Sequence, residues 1–298
     1  MLRRIQLFEI CDQPWLPHAL RERLQTCLTL LWTFRFPGLQ PASPASLVSR
    51  VLLRLLGSEL EDCVFVDYCA GAGGPTPWIE KDFNNLLSGR GREAEFVLSD
   101  ISPHPRAWKQ LAAESPHIHL LRNSVDATRP KLPLLDSGAL VVSSLASSQV
   151  ADVLRKRKTF GLFFLAFHHF PDDQARSVLR AALDQAGDSD GFAIFELQGR
   201  TVREILMVLF IPLLIALLAP VYFYDDPLML FFIFIAPLIP PILAFDGTVS
   251  CLRTRTEDEI TGLVKQSGAE LDDWNFVSGS EMHTWPLGRM RYFAALKR

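Results

Sequence analysis

From Asp62 onward the chain alternates between runs of strand length and stretches of helical character. The first run, "CVFVD", is rich in β-branched and aromatic residues, as a buried parallel strand should be. "AEFVLSD", "HIHLLRNSVDA", "TFGLFFLAFHHF" and "GFAIFELQ" follow as four further strands. Between them, Thr76 reads as the cap of a helix with Pro77 at its first position, ending near "LLSGRG", and Pro171 opens a helix to about Ala186. Further on, "TEDE" is a capping box of Thr256 and Glu259, opening a helix that stops at Gly268. "DDWNFVS" and "MRYFAAL", joined by a polar loop, read as an antiparallel pair. This order predicts an α/β fold: a doubly wound, Rossmann-like seven-stranded sheet with one antiparallel strand.

The first sixty residues read as helical. Pro17 can open a helix on which Leu20, Leu24, Leu28 and Leu31 recur, and Ser43-Pro44 caps a second helix through Leu56, stopped by Gly57. They form an N-terminal helical cap, residues 1–60, over the edge or mouth of the sheet. A net charge of −3 gives no electrostatic case for nucleic acid. The cysteines Cys11, Cys27, Cys63, Cys69 and Cys251 form no CxxC pair, which fits a reducing, cytosol-facing location. The run Arg155-Lys156-Arg157-Lys158 reads as a solvated face, with a nuclear signal or a phospholipid-headgroup contact as the alternatives.

In a doubly wound sheet the ligand sits beyond the carboxyl ends of the strands, so the turn after the first strand is the expected site. It reads Asp67-Tyr68-Cys69-Ala70-Gly71-Ala72-Gly73. Gly71 and Gly73 let backbone approach a ligand, and the helix beginning at Thr76 offers free N–H groups. No GK[ST] follows, which excludes a Walker loop, and Thr76 stands where a dinucleotide fingerprint needs a small residue. The turn resembles that of the class I S-adenosylmethionine-dependent methyltransferases, D-x-G-x-G-x-G, with Cys69 in place of the first glycine and so a turn made there without positive φ. The resemblance spans roughly Asp62 to Arg298, and "DQPW" near the start with "DGTVSCLRTRT" after the apolar stretch resembles a group of methyltransferase-like proteins.

The resemblance implies S-adenosylmethionine as cofactor. It implies that Cys69, Ala70, Gly71 and Gly73 pack on the methionine part, while Asp67 orients its amino group. Asp100, followed by Ile101, would hold the ribose hydroxyls, since a carboxylate can accept two bonds from a vicinal diol. Asp126 would bind the adenine amino group, with Val125 and Ala127 against the ring. "FHHF" falls at the family's active-site position. On a continuing strand His168 and His169 face opposite ways, and His169, nearer the end, is the expected general base. Glu196, at the end of the fifth strand, would bind substrate or pair with Arg200. His18, His104 and His283 have no evident partner, and no HExxH or similar spacing is present, so no metal is expected.

From Ile205 to Phe245 the sole charges are Asp225 and Asp226. Ile205–Tyr224 and Pro227–Phe245 are each near the roughly twenty residues that span a bilayer. Arg200 and Arg203 before them and Arg253 and Arg255 after them predict that both ends lie on the cytosolic side. Pro237, Pro240 and Pro241 should break the second leg early, so a shallow or re-entrant hairpin stands beside a double span. The expected organisation is a cap at 1–60, a cofactor domain at 61–200 and 246–298, and a membrane-associated apolar hairpin at 201–245. The expected activity is methyl transfer to a lipophilic small molecule at a membrane, with membrane lipids as partners and no nucleic acid. A cyclisation or rearrangement on bound S-adenosylmethionine, or a non-catalytic cofactor-binding anchor or regulatory subunit, are the alternatives.

Overall fold

The computed structural model describes residues 1–89, 91–121, 123–129, 140–141, 157–184 and 189–298. Its strands are β1 (Cys63–Tyr68), β2 (Glu95–Ser99), β3 (Ile118–Leu121), β4 (Leu140–Val141), β5 (Lys158–Phe164), β6 (Ser189–Glu196), β7 (Trp274–Thr284) and β8 (Gly288–Lys297). They form one sheet in the order β4-β3-β2-β1-β5-β6-β8-β7. β1, β2, β3, β5 and β6 are parallel, and β8 runs antiparallel to both β6 and β7. The seven expected strands are therefore present with β8 reversed. β4 adds a two-residue antiparallel bridge outside β3 that is too short to leave a pattern in the sequence. The chain steps from β1 outward to β3 and then returns to pair β5 with the other side of β1, which makes the β1–β5 edge the switch point where ligands bind.

Both faces of this sheet are covered, so all six residues of β1 are buried. Phe65, Phe96, Phe160 and Phe195 face α2 (Pro44–Leu56) and α3 (Thr76–Leu87). Val64, Val66, Phe163 and Ile194 face α5 (Asp172–Asp184) and α9 (Glu257–Gln266). Ser43 accepts the Ser46 N–H at the start of α2, and Thr256 and Glu259 form the full capping box of α9. α4 (Pro105–Glu114) links β2 to β3. Ala186, like Arg155 and Lys156 of the basic run, lies outside the described residues.

A helical layer lies across the carboxyl ends of the strands. It contains α1 (His18–Thr33), α6 (Val202–Tyr222) and α7 (Pro227–Leu230), which runs into a π turn at Phe231–Ile235, and it ends with α8 (Ile239–Arg253). Leu20, Leu24, Ile215, Phe223, Met229, Ile233 and Leu243 form its core. Three expectations change here. Residues before Pro17 are not helical; they form a strap, tied by Leu2 N–H to the Arg200 carbonyl, by Ile5 N–H to the Leu252 carbonyl, and by Ile10 and Cys11 N–H to the Asp246 carboxylate. Pro240 and Pro241 do not end a helix but open α8, because first-turn positions need no N–H donor. α8 then continues past Phe245 to Arg253, crossing α6 where a Cβ on Gly247 would stand 2.4 Å from Val208 Cγ1.

α6 is long and apolar enough to cross a membrane, with mean hydropathy 2.7 and 17% of the window buried. The segments Pro227–Ile235 and Ile239–Arg253 meet the same test only together, across an 80° bend. The tip between α6 and α7 is tied back: Asp226 accepts two hydrogen bonds from Arg23 of α1, at 3.2 and 2.8 Å. The neighbouring Glu22 stands 3.6 Å from His104, the capping residue of α4.

Candidate active site

At the glycine turn, Cys69 adopts φ 63°, so the left-handed bend expected to be missing is made by a non-glycine residue. Positive φ is uncommon for a residue with a Cβ, so the reversal is imposed by the turn and not by the side chain. Gly71 and Gly73 have φ 52° and 110°, and a Cβ on Gly73 would lie 2.4 Å from Leu111 Cδ1. Thr76 does not cap α3. It is the first helical residue, and its hydroxyl donates to Asp67 Oδ2.

Asp67 is buried, and its Oδ1 has no hydrogen-bond partner. Burial pushes its carboxyl well above the ordinary range against the pull of Thr76, and Asp100 adds to the rise. Asp100 Oδ2 accepts the Gly71 N–H at 2.9 Å and Oδ1 the Ser102 N–H at 2.8 Å. Burial raises its pKa as well, opposed by those two N–H groups. Among the described residues neither acid pairs with a lysine or arginine. Two acids without a fixed cation, the buried Asp67 with an orphaned oxygen and the half-buried Asp100, fit a ligand that brings positive charge.

The rest of the expected cofactor set gathers at the same edge. Val125 N–H donates to the Asp100 carbonyl, and Ser124 Oγ to the Ile101 carbonyl, which joins the turns after β2 and β3. Ala70, Val125 and Ala127 are buried, whereas Ile101 and Asp126 are exposed at the rim. Asp126 Oδ1 already accepts the Thr128 N–H and hydroxyl. Gln25 of α1 was not foreseen. Its amide lies 3.7 Å from where a Gly71 Cβ would be, and its Oε1 is buried without a partner.

The histidines depart from expectation. β5 stops at Phe164, Leu165 takes φ 51°, and Phe167–His169 form a 3-10 turn, so His168 and His169 do not alternate on a strand. Their rings lie side by side, centroids 4.2 Å apart. His168, rather than His169, is the buried one. Glu196 pairs with His168, not Arg200: its Oε2 is 2.8 Å from His168 Nδ1, and its Oε1 accepts the His168 backbone N–H at 3.1 Å. Arg200 turns instead to Glu259.

The strap brings Glu9 and Asp12 to the same place. Glu9 Oε1 lies 3.5 Å from His168 Nε2, and Asp12 Oδ2 lies 3.1 Å from His169 Nδ1. Arg253 NH1 is 2.9 Å from Glu9 Oε1 and 3.2 Å from Asp12 Oδ2. Burial opposes charge on His168, but Glu196 and Glu9 outweigh it and hold the imidazole up to about 10. Burial likewise opposes charge on Glu9, yet His169, His168 and Arg253 keep it down to about 2. Glu9, Asp12 and Arg253 lie too far apart in sequence to be joined by spacing, although "DQPW" and "DGTVSCLRTRT" each contain one or border one.

This cluster closes one end of a cavity of about 430 Å³. Its remaining wall is largely apolar, built by Leu24, Leu28 and Leu31 of α1, Met207, Phe210, Ile211 and Leu214 of α6, and Leu243 of α8. α1 thus borders both spaces, with leucines toward the cavity and Gln25 toward the glycine turn. His283 also lines it, where burial, only partly offset by the Leu197 carbonyl, lowers its pKa to about 4.

No protein-family model matches the chain, and no curated protein matches it in sequence. Solved structures do match in fold. An O-methyltransferase structure from Nostoc punctiforme aligns over 99% of this chain and 64% of its own, with TM-score 0.50 and 14% identity. Human N-acetylserotonin methyltransferase in complex with S-adenosylmethionine aligns over 93% and 56%, with TM-score 0.47 and 14% identity. LepI in complex with the same molecule aligns over 97% and 54%, with TM-score 0.46 and 14% identity. The chain therefore spans less than two thirds of each of these proteins. It has the class I S-adenosylmethionine-dependent methyltransferase fold.

Proposed function

We propose that this chain transfers a methyl group from S-adenosylmethionine to a lipophilic small molecule at a membrane surface. The observation that carries this reading is the largely apolar cavity with the Glu9–His168–His169 cluster in its wall, near a glycine turn whose acids Asp67 and Asp100 have no cationic partner among the described residues. Asp67 and Gln25 would receive the cofactor's amino-acid portion and Asp100 its ribose. Cys69, Ala70, Gly71 and Gly73 would supply the close backbone, and Val125, Asp126, Ala127 and Ile101 the adenine pocket. The cofactor supplies an electrophilic methyl group; the chain must orient a nucleophile and take its proton. The apolar wall would hold the acceptor's body, leaving its nucleophilic atom at the histidines. Glu196 would position His168 through Nδ1, so that Nε2 faces the cavity.

Membrane association is supported by the outer face of α6, where Leu206, Leu209, Leu213, Leu217 and Val221 are exposed, while Phe210 and Leu214 of the same helix reach the cavity. An apolar patch of this length on a soluble surface is costly unless something covers it. The tip geometry favours an in-plane seat over a crossing. If α6 traversed the bilayer, Arg23 would follow Asp226 to the far side and pull α1 from Glu22–His104 contact and from the glycine turn. The catalytic side would then face the cytosol with α6 and α7 lying in the interface, and lipid would meet the cavity wall directly.

Two expected results test this. In liposome flotation the purified protein should rise with vesicles, and a Leu213→Lys, Leu217→Lys variant should stay in the soluble fraction with its melting temperature kept. Vesicle binding that ignores this change would remove the membrane half of the proposal. With cofactor labelled on the methyl group and lipophilic cell extracts, label should enter a solvent-extractable product heavier by about 14 daltons. Label that never leaves a demonstrably bound cofactor would favour the rearrangement reading instead.

A further inference from the structure

The two histidines share an arrangement that proton transfer alone does not require. Each has its Nδ1 beside a carboxylate: His168 beside Glu196 at 2.8 Å and His169 beside Asp12 at 3.1 Å. Each turns its Nε2 toward the same third carboxylate, Glu9, at 3.5 Å for His168 and 3.8 Å for His169. These separations are too long for hydrogen bonds, and His168 Nε2 is buried with no hydrogen-bond partner. One donor atom from each of Glu9, His168 and His169 falls within 4.8 Å of the others.

Such a set has a familiar physical meaning. Donors about 2.1 Å from a common ion stand roughly 3–3.5 Å from one another, so side-chain rotations that draw these atoms in from within 4.8 Å would close the trio on one. Imidazoles that bind a metal through one nitrogen usually hold the other against a carboxylate, which fixes tautomer and ring direction. Glu196 and Asp12 occupy that place on both rings. Charge points the same way. Glu9, Asp12 and Glu196 bring three negative charges against one from Arg253 and one from the protonated His168, and a dication that displaces the His168 proton would balance the two charges then left over. Arg253 NH1 stands 3.3 Å from His169 Nδ1 and 2.9 Å from Glu9 Oε1, so an ion would share Glu9 with the guanidinium or take that oxygen from it.

We infer that Glu9, His168 and His169 bind a divalent transition cation of the zinc, cobalt or ferrous type at the polar end of the cavity. Two imidazoles and one carboxylate suit those ions, whereas magnesium and calcium favour oxygen-only sets. Three protein donors leave positions for water or for an acceptor oxygen entering from the cavity, whose proton the ion would make easier to lose. This inference rests on reading the cavity as the acceptor site. It also revises the sequence expectation of no metal, which rested on local spacing; here the donors come from the strap and from a turn far along the chain.

The test uses full-length protein in detergent, stripped with a chelator and dialysed. Zinc titrated calorimetrically should bind at one equivalent, cobalt should give visible d–d absorption, and magnesium should give neither. His169→Ala, on the more exposed ring, and Glu9→Gln each change a ligand and should weaken zinc by more than the roughly 10–100-fold that loss of an outer-shell partner costs. Melting temperature and S-adenosylmethionine affinity, measured on the same samples, report whether fold and cofactor site survive. Zinc that fails to bind protein which still binds the cofactor overturns the metal site alone. Binding equally tight in both variants also overturns it.

Discussion

Replacing Asp100 with alanine should weaken S-adenosylmethionine binding about 100-fold, or roughly 3 kcal/mol. Two losses combine in that figure. The ribose loses an acceptor for its paired hydroxyls, and bonds to a charged group are worth about 1.5–3 kcal/mol. The glycine turn also loses its anchor, because Asp100 Oδ2 holds the Gly71 N–H at 2.9 Å. Asp100→Asn keeps the shape and one acceptor but removes the charge, so its affinity should fall between the two. The global fold should persist in both variants, since Asp100 sits at the sheet's edge outside the packed aromatic layer. Calorimetry alongside thermal melts separates these effects. An unchanged affinity in Asp100→Ala would remove this residue from the cofactor site.

Gly191→Ala should be the most damaging single-methyl change in the sheet. Gly191 has φ 147°, and a Cβ there would meet the Ala295 carbonyl oxygen at 2.0 Å and Phe160 Cε2 at 3.1 Å. The first neighbour is backbone of the antiparallel strand β8, paired through Gly191↔Leu296, and cannot swing aside. We expect a loss of about 4 kcal/mol and a melting temperature lower by about 10 °C. Gly262→Ala is the control. Gly262 lies in α9 with nothing within 4 Å of its Cβ position, so the change should stabilise by about 0.5–1 kcal/mol. Equal melting temperatures for the two variants would mean that β6 and β8 do not approach as described.

Local chemistry announced much of this architecture. Ser43-Pro44, the Thr256–Glu259 box and the acids after three successive strands each act over a few residues, and the structure reproduces them. Where long-range packing decides, the sequence was silent or misleading. "TFGLFFLAFHHF" looks like one strand because every residue up to the histidines is apolar or small. The strand ends at Phe164 because Leu165 turns to φ 51°, a conformation no propensity favours. That bend lays His168 and His169 side by side rather than on opposite faces, and it moves the buried role from His169 to His168. Glu9 and Asp12 were invisible as site residues, because only the strap's docking on Asp246 brings them to the histidines. The prolines of the second leg divide: the leg does break at Pro237, with the 80° bend, whereas Pro240 and Pro241 open the next helix, because a proline stops a helix from within but can begin one.

If the turns after β1, β2 and β3 form a site for S-adenosylmethionine, titration calorimetry on the purified chain should show it. One saturable site per chain is expected, competed by S-adenosylhomocysteine and weakened about 100-fold by Asp100→Ala. Folded protein that gives no saturable heat and no thermal stabilisation with either molecule would contradict it.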